Sequence, residues 1–455
     1  MGEENLVTAV TADLIANVED WYDTYSTLSP TDRCDFIDQT LDYPLTEDFL
    51  EETEMSLLIA GLEDTVGPAA MVRLVDKLRR VLPEFHLKEV PYLEDTMLVW
   101  GLFHDDPEQI DTAAAYFRKN PVQFVDHFLM TFRWLCLYQK RDIALQQAEV
   151  GFPMIQASHD ILPGAEDDLG QFLIFDQCER LYDQISSGQS PDPAPLAELE
   201  HQLYGDNAVD VGARAIPLLL DPTRLAPSPD WRKADRRPAV LRDLHWVFLR
   251  HQRDAKGFSF ATSTYIWDSV FRLLEGRQYI KPDAYFYPTE QELDQYLGSY
   301  AQFLSLERDW AFITLWGIPY VADFLKNHGW MTTDEHTHCL SLADHLKATL
   351  IEASRPDLWK YAFVHRWTPP DSADPDVWVK EAQIFADSLT AVRSFDRDIS
   401  PDAFDFLDEL ALPSIDSLLG VHNGRPPTKV RSTHRGRSGR KKPKGKNKNK
   451  KRGRH

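Results

Sequence analysis

The segment Thr332-Thr333-Asp334-Glu335-His336-Thr337-His338-Cys339-Leu340-Ser341-Leu342-Ala343-Asp344-His345-Leu346-Lys347-Ala348-Thr349-Leu350 decides the fold class. Thr332 followed three residues later by Glu335 has the form of a capping box, in which each side chain satisfies a free backbone donor of the other residue. Leu340, Leu342, Leu346 and Leu350 then recur at helical spacing. The same punctuation appears elsewhere. Thr289-Glu290-Gln291-Glu292 repeats the capping-box pattern, and Ser29-Pro30-Thr31-Asp32 offers an N-cap with proline at the first helical position. Gly329, after Lys326-Asn327-His328, suits the left-handed residue that closes a helix. Leu57, Leu58 and Leu62, and Val72, Leu74, Val75, Leu78, Val81 and Leu82, continue the periodicity. Alternation at Phe258-Ser259-Phe260 predicts one short hairpin, and other strand signals are sparse. The chain therefore reads as all-α, a multi-helix array of antiparallel helical hairpins.

A period lies inside this array. Ile110 and Ile143 are 33 residues apart, as are Ala115 and Ala148, while Trp100 and Trp134 are 34 apart. Each triplet fits a hairpin with Trp near the end of its first helix and Ile and Ala on its second. The spacing is tetratricopeptide-like and predicts a solenoid-like stack, although the fuller consensus of such repeats and a third copy are absent.

At 455 residues the chain exceeds what one growing core usually accommodates. Composition shifts at 186–195 (SSGQSPDPAP) and again over 221–238 divide it into a helical region 1–185, a Pro-rich linker 186–240, an aromatic-rich helical region 241–420 and a tail 421–455. A further loop is expected at 368–376, with order ending near Leu419. Nine of the 12 Trp fall between Trp231 and Trp378, fit either for a packed core or for an aromatic groove. The run from Trp310 to Leu325 is apolar nearly all round, as in a central helix, with Pro319 inside it. Cys34, Cys136, Cys178 and Cys339 form no metal-type pair and read as buried, reduced thiols.

Charge divides the chain in two. Residues 421–455 hold fifteen Lys or Arg and no acid; the other 34 of the 49 basic residues face 72 acidic ones in residues 1–420, a net charge of −38 there. No apolar residue follows Val430, so this tail is expected to be disordered alone. Its cations Arg435, Arg437, Arg440, Lys441, Lys442, Lys444, Lys446, Lys448, Lys450, Lys451 and Arg452 suit phosphates through counterion release. With no aromatic residue it has no platform for stacking bases. Folding back on the acidic body is a competing use. The acidic N-terminus lacks a secretion pattern and no apolar run spans a membrane, so a cytoplasmic location is expected. Scarce lysine, 11 against 23 Arg before residue 421, together with the acidic body, fits a salt-rich cytoplasm.

The densest metal-capable group is Asp334, Glu335, His336, His338, Cys339 and His345; Asp334, His338 and His345 share one face of a single helix, and with Glu335 they form the candidate ligand set. The same acids equally complete a capped first turn and complement the helix dipole. Elbow-serine, HExxH, GxGxxG, phosphate-loop and paired CxxC signatures are all missing. No cofactor is implied. The expectation is a non-enzymatic helical interaction or scaffold protein, with a protein partner on its body and nucleic acid or the ribosome on its tail. A metal-dependent enzyme built on residues 334–345 is the alternative.

Overall fold

The structure is a computed structural model that describes residues 9–390 apart from 206–210, 229, 276, 278–279 and 301–305. The described residues are helical with no strand, and they belong to one compact unit. Short helices open the chain: α1 (Ala12–Ile15), α2 (Val18–Thr27), α3 (Pro30–Thr40), α4 (Glu47–Glu52), α5 (Met55–Thr65), α6 (Pro68–Val81) and α7 (Pro83–Lys88). Longer ones follow: α8 (Val90–His104), α9 (Pro107–Lys119), α10 (Val125–Leu137), α11 (Arg141–Ala157), α12 (Asp167–Ser186), α13 (Ala194–Tyr204) and α14 (Val211–Leu220). The remainder are α15 (Arg237–Lys256), α16 (Phe260–Glu275), α17 (Glu290–Tyr300), α18 (Asp309–Asn327), α19 (Thr333–Ala353), a 3-10 segment at Arg355–Tyr361, α20 (Phe363–Arg366) and α21 (Pro375–Asp387).

Local sequence sets most of these boundaries. Thr11, Asn17, Ser29, Thr46, Asp106 and Asp374 each accept a backbone N–H of the first turn they precede. The capping box at Thr332 is complete, with the Thr332 hydroxyl accepting from Glu335 N and Glu335 accepting from Thr332 N. Thr289 and Glu292 form the same reciprocal pair. Gly329 has φ +73°, which closes α18 without a Cβ clash.

Successive helices pack as hairpins, α5 on α6, α8 on α9 and α10 on α11. The α8–α9 and α10–α11 turns have one geometry. Asp105 and Gln139, 34 residues apart, are both left-handed, with φ of 56° and 58°. The residue after each donates to a carbonyl five back, Asp106 to Gly101 at 2.9 Å and Lys140 to Leu135 at 2.8 Å. Gly101 and Gly151 permit the close approach: a Cβ on Gly151 would lie 2.5 Å from the Phe128 ring.

The core centres on α18, in which every residue from Asp309 to Leu325 is buried and Pro319 lies inside a continuous helix. It is flanked by α16, α17 and α19. All nine tryptophans from Trp231 to Trp378 are buried here, so core packing is their use.

Two local expectations change. Ser259 makes no hairpin; its hydroxyl accepts from Thr262 N at 3.1 Å and Phe260 opens α16, because a serine hydroxyl competes well for first-turn donors. The 186–240 segment carries α13 and α14, with Trp231 buried against Trp330, and α12 packs on α16. Helices before and after it therefore share contacts despite its prolines. The expected order up to Leu419 and the tail 421–455 lie outside the described residues.

Candidate functional site

A cleft of about 410 Å³ opens between α8, α10, residues 306–309 and the 3-10 segment. Helix α8 contributes a stripe at helical spacing: Pro91, Tyr92, Asp95, Thr96 and Val99. Glu94, one residue from Asp95 and thus turned by about 100° around the helix, faces the interior instead. It is fully buried between Arg79, with oxygens at 2.9 and 2.6 Å, and His86 at 2.6 Å. Met130 and Trp134, one turn apart on α10, also line it, with Leu306, Arg308, Asp309, Lys360 and Tyr361.

Most of the charges are compensated. Arg133 Nε and Nη2 hold both oxygens of Asp309 at 2.5 and 3.1 Å. Lys360 pairs with Glu63, whose other oxygen accepts from the Thr96 hydroxyl at 2.6 Å. Arg308 lies 3.9 Å from Asp357. Asp95 Oδ2 meets His127 Nδ1 at 2.5 Å. Burial lifts the Asp95 carboxyl above the ordinary aspartate value, and the His127 contact offsets this only in part. Burial alone would lower the His127 imidazole, but the hydrogen bond and charge of Asp95 outweigh it, so the ring holds its proton more tightly than usual.

Two polar atoms of the lining residues stand apart. Asp95 Oδ1 and Trp134 Nε1 are shut off from solvent and have no hydrogen-bond partner among the described residues. Among the described residues the lining contains no Ser or Cys, and its one Thr hydroxyl is spent on Glu63. The site thus combines a sealed, unpaired acceptor and donor with a carboxylate–imidazole pair that can hold a proton. It presents no obvious nucleophile of the alcohol or thiol type.

The sequence-derived metal candidates do not converge. Glu335 is taken by the Thr332 cap and by Arg232, whose Nη1 and Nη2 reach its oxygens at 2.5 and 3.0 Å. His338 Nε2 contacts the Pro288 carbonyl at 2.8 Å, His345 Nε2 lies 3.2 Å from Glu290, and Asp334 is exposed in the first turn. Among the described residues no group of three or more His, Cys, Asp or Glu could hold a metal. Successive helical positions project in different directions, and Glu335, His338 and His345 each have a nearer partner than a shared ion. The eleven tail cations lie outside the described residues. Sequence reading missed the cleft, whose one visible signal is Glu94-Asp95-Thr96 interrupting the otherwise apolar stretch from Val90 to Leu102. No helix among the described residues is long and apolar enough to cross a membrane. Compared with protein-family models, with curated proteins and with solved structures, the chain finds no match.

Proposed function

We propose that this is a non-enzymatic helical interaction protein that binds a polyanion, nucleic acid or the ribosome foremost, through its basic C-terminal segment, while the acidic helical body selects a protein partner. The observation that carries this reading is the charge split, fifteen cations and no acid in residues 421–455 against 34 basic and 72 acidic residues before them. Cations spaced by Gly, Asn, Ser and Pro bind phosphates without reading sequence, because affinity comes from released counterions. The tetratricopeptide-like spacing belongs to this reading, since stacked hairpins present grooves between neighbouring helices. One such groove, of about 640 Å³, runs between α11, α12 and α13 and is lined by Phe152, Pro153, Leu199 and Leu203 with Glu149 and Glu198. Apolar anchors beside carboxylates fit a partner segment whose apolar residues are flanked by Lys or Arg.

Purification at low salt tests the reading. The full chain should carry RNA or DNA that is absent when residues 424–455 are removed. Full-length protein free of nucleic acid, and unable to bind single-stranded RNA at low salt, contradicts it.

A further inference from the structure

Beyond that reading, and independently of the basic segment, we propose that the α8–α10 cleft binds a planar heterocycle bearing a lactam edge, an N–H donor beside a carbonyl acceptor, of the kind nucleobases carry. Three observations converge. The cleft, at about 410 Å³, is within the size of small-molecule sites. Its lining is largely flat or apolar, from Tyr92, Met130, Trp134 and Tyr361 to Pro91 and Val99, surfaces on which a planar ring packs. Within that lining Asp95 Oδ1 lacks a donor and Trp134 Nε1 lacks an acceptor.

An unpaired buried polar atom is costly, and few persist in a native structure without a reason. Here an acceptor and a donor belong to two residues that line one cleft, and Trp134 is only 7% exposed. A lactam supplies both complements: its N–H donates to Asp95 and its carbonyl accepts from Trp134. The charges around the cleft argue for a neutral binding group over an anion or a cation. Asp309 is held by Arg133, and Lys360 by Glu63. Both target atoms are sealed from solvent in the free protein, so binding requires the two side chains to rotate towards the ligand. His127 holds the other Asp95 oxygen and fixes the carboxylate plane, which makes it a positioning residue.

Calorimetric titration of the full chain with guanosine, uridine and 3-methyluridine tests the proposal. Guanosine and uridine should bind, and 3-methyluridine, whose donor is blocked, should bind at least about tenfold more weakly, as expected for one lost hydrogen bond to a buried charged acceptor. Asp95→Asn and Trp134→Phe should each weaken uridine by about tenfold or more. Trp134→Phe should lower the melting temperature only through lost ring packing, because the indole N–H it removes is bonded to nothing among the described residues. Guanosine set against a single-stranded G-rich pentaribonucleotide at about 0.5 M salt, where backbone contacts are screened, separates a free nucleoside from a base splayed out of a strand by which binds tighter. Absence of binding by guanosine and uridine overturns the proposal. So does equal binding of uridine and 3-methyluridine, or wild-type affinity in both variants.

Discussion

Arg133 grips both carboxylate oxygens of Asp309, at 2.5 and 3.1 Å, and so joins α10 to the start of α18 across 176 residues of chain. Both side chains are nearly sealed from water, at 7% and 2% exposure. The guanidinium also lies 5.6 Å over the Trp310 ring and reaches the Leu306 carbonyl. Asp309 lines the cleft, and the pair ties helices of the N-terminal half to the central helix.

Removing one partner should therefore cost more than removing both. Arg133→Met strands the Asp309 carboxylate and is expected to destabilise by about 3–5 kcal/mol, whereas Arg133→Met combined with Asp309→Leu should recover much of the loss. Urea unfolding of the four proteins in this cycle gives the coupling directly.

Glu335 makes a pH-dependent contribution. Burial would raise its carboxyl, but the Arg232 guanidinium and the Thr332 backbone amide together bring it below the ordinary 4.5. A lowered folded value means the stabilisation is full above 4.5 and is lost as pH falls through that lower value. Glu335→Gln should lose about 1–2 kcal/mol at neutral pH, and part of the acid limb of a stability-versus-pH curve should vanish with it.

Asp268 acts in the opposite sense. Burial pushes its carboxyl up to about 7, with Asp168 and Glu275 adding to the rise and Arg272 opposing it. A raised carboxyl favours the folded state only while protonated, so stability declines as pH rises from 3.8 through about 7. Asp268→Asn should accordingly stabilise by of order 2 kcal/mol above pH 7, allowing for partial solvation, and by little near pH 4. Melting temperatures of both proteins across that range check the sign.

Gly151 is a packing requirement. A Cβ there would sit 2.5 Å from the fully buried Phe128 ring and 3.2 Å from Leu169. Gly151→Ala should destabilise by about 1–3 kcal/mol despite its better helix propensity. Adding Phe128→Leu should recover part of that loss in chemical denaturation.

Helix existence was legible because its signals are local. The capping boxes at Thr289 and Thr332, the N-cap at Ser29 and the left-handed Gly329 each depend on a few neighbouring residues. The burial of Trp310 to Leu325 followed equally from an apolar pattern with no polar face. The 34-residue period was visible in Trp100 and Trp134, but the left-handed turns at Asp105 and Gln139 that share it carry no glycine to mark them. Phe258-Ser259-Phe260 misled because period-two alternation over three residues also fits a helix entrance capped by serine. The cleft was illegible for a different reason. Asp95, Trp134, Asp309 and Lys360 come from four separated segments, and only tertiary packing shows that Asp95 and Trp134 keep unpaired atoms while Asp309 and Lys360 do not. The spacing of Asp334, Glu335, His338 and His345 conversely resembled a ligand set until Arg232, Pro288 and Glu290 were found beside them.

The most direct test of the proposed function is the salt dependence of single-stranded RNA binding by the full chain. If ten of the fifteen cations in residues 421–455 each displace a counterion, log K should fall against log salt with a slope of about −7, and replacing the eleven cations from Arg435 to Arg452 by glutamine should flatten it towards zero. A full-length protein whose RNA affinity is salt-independent, or keeps its slope after those replacements, would contradict the assignment of polyanion binding to this segment.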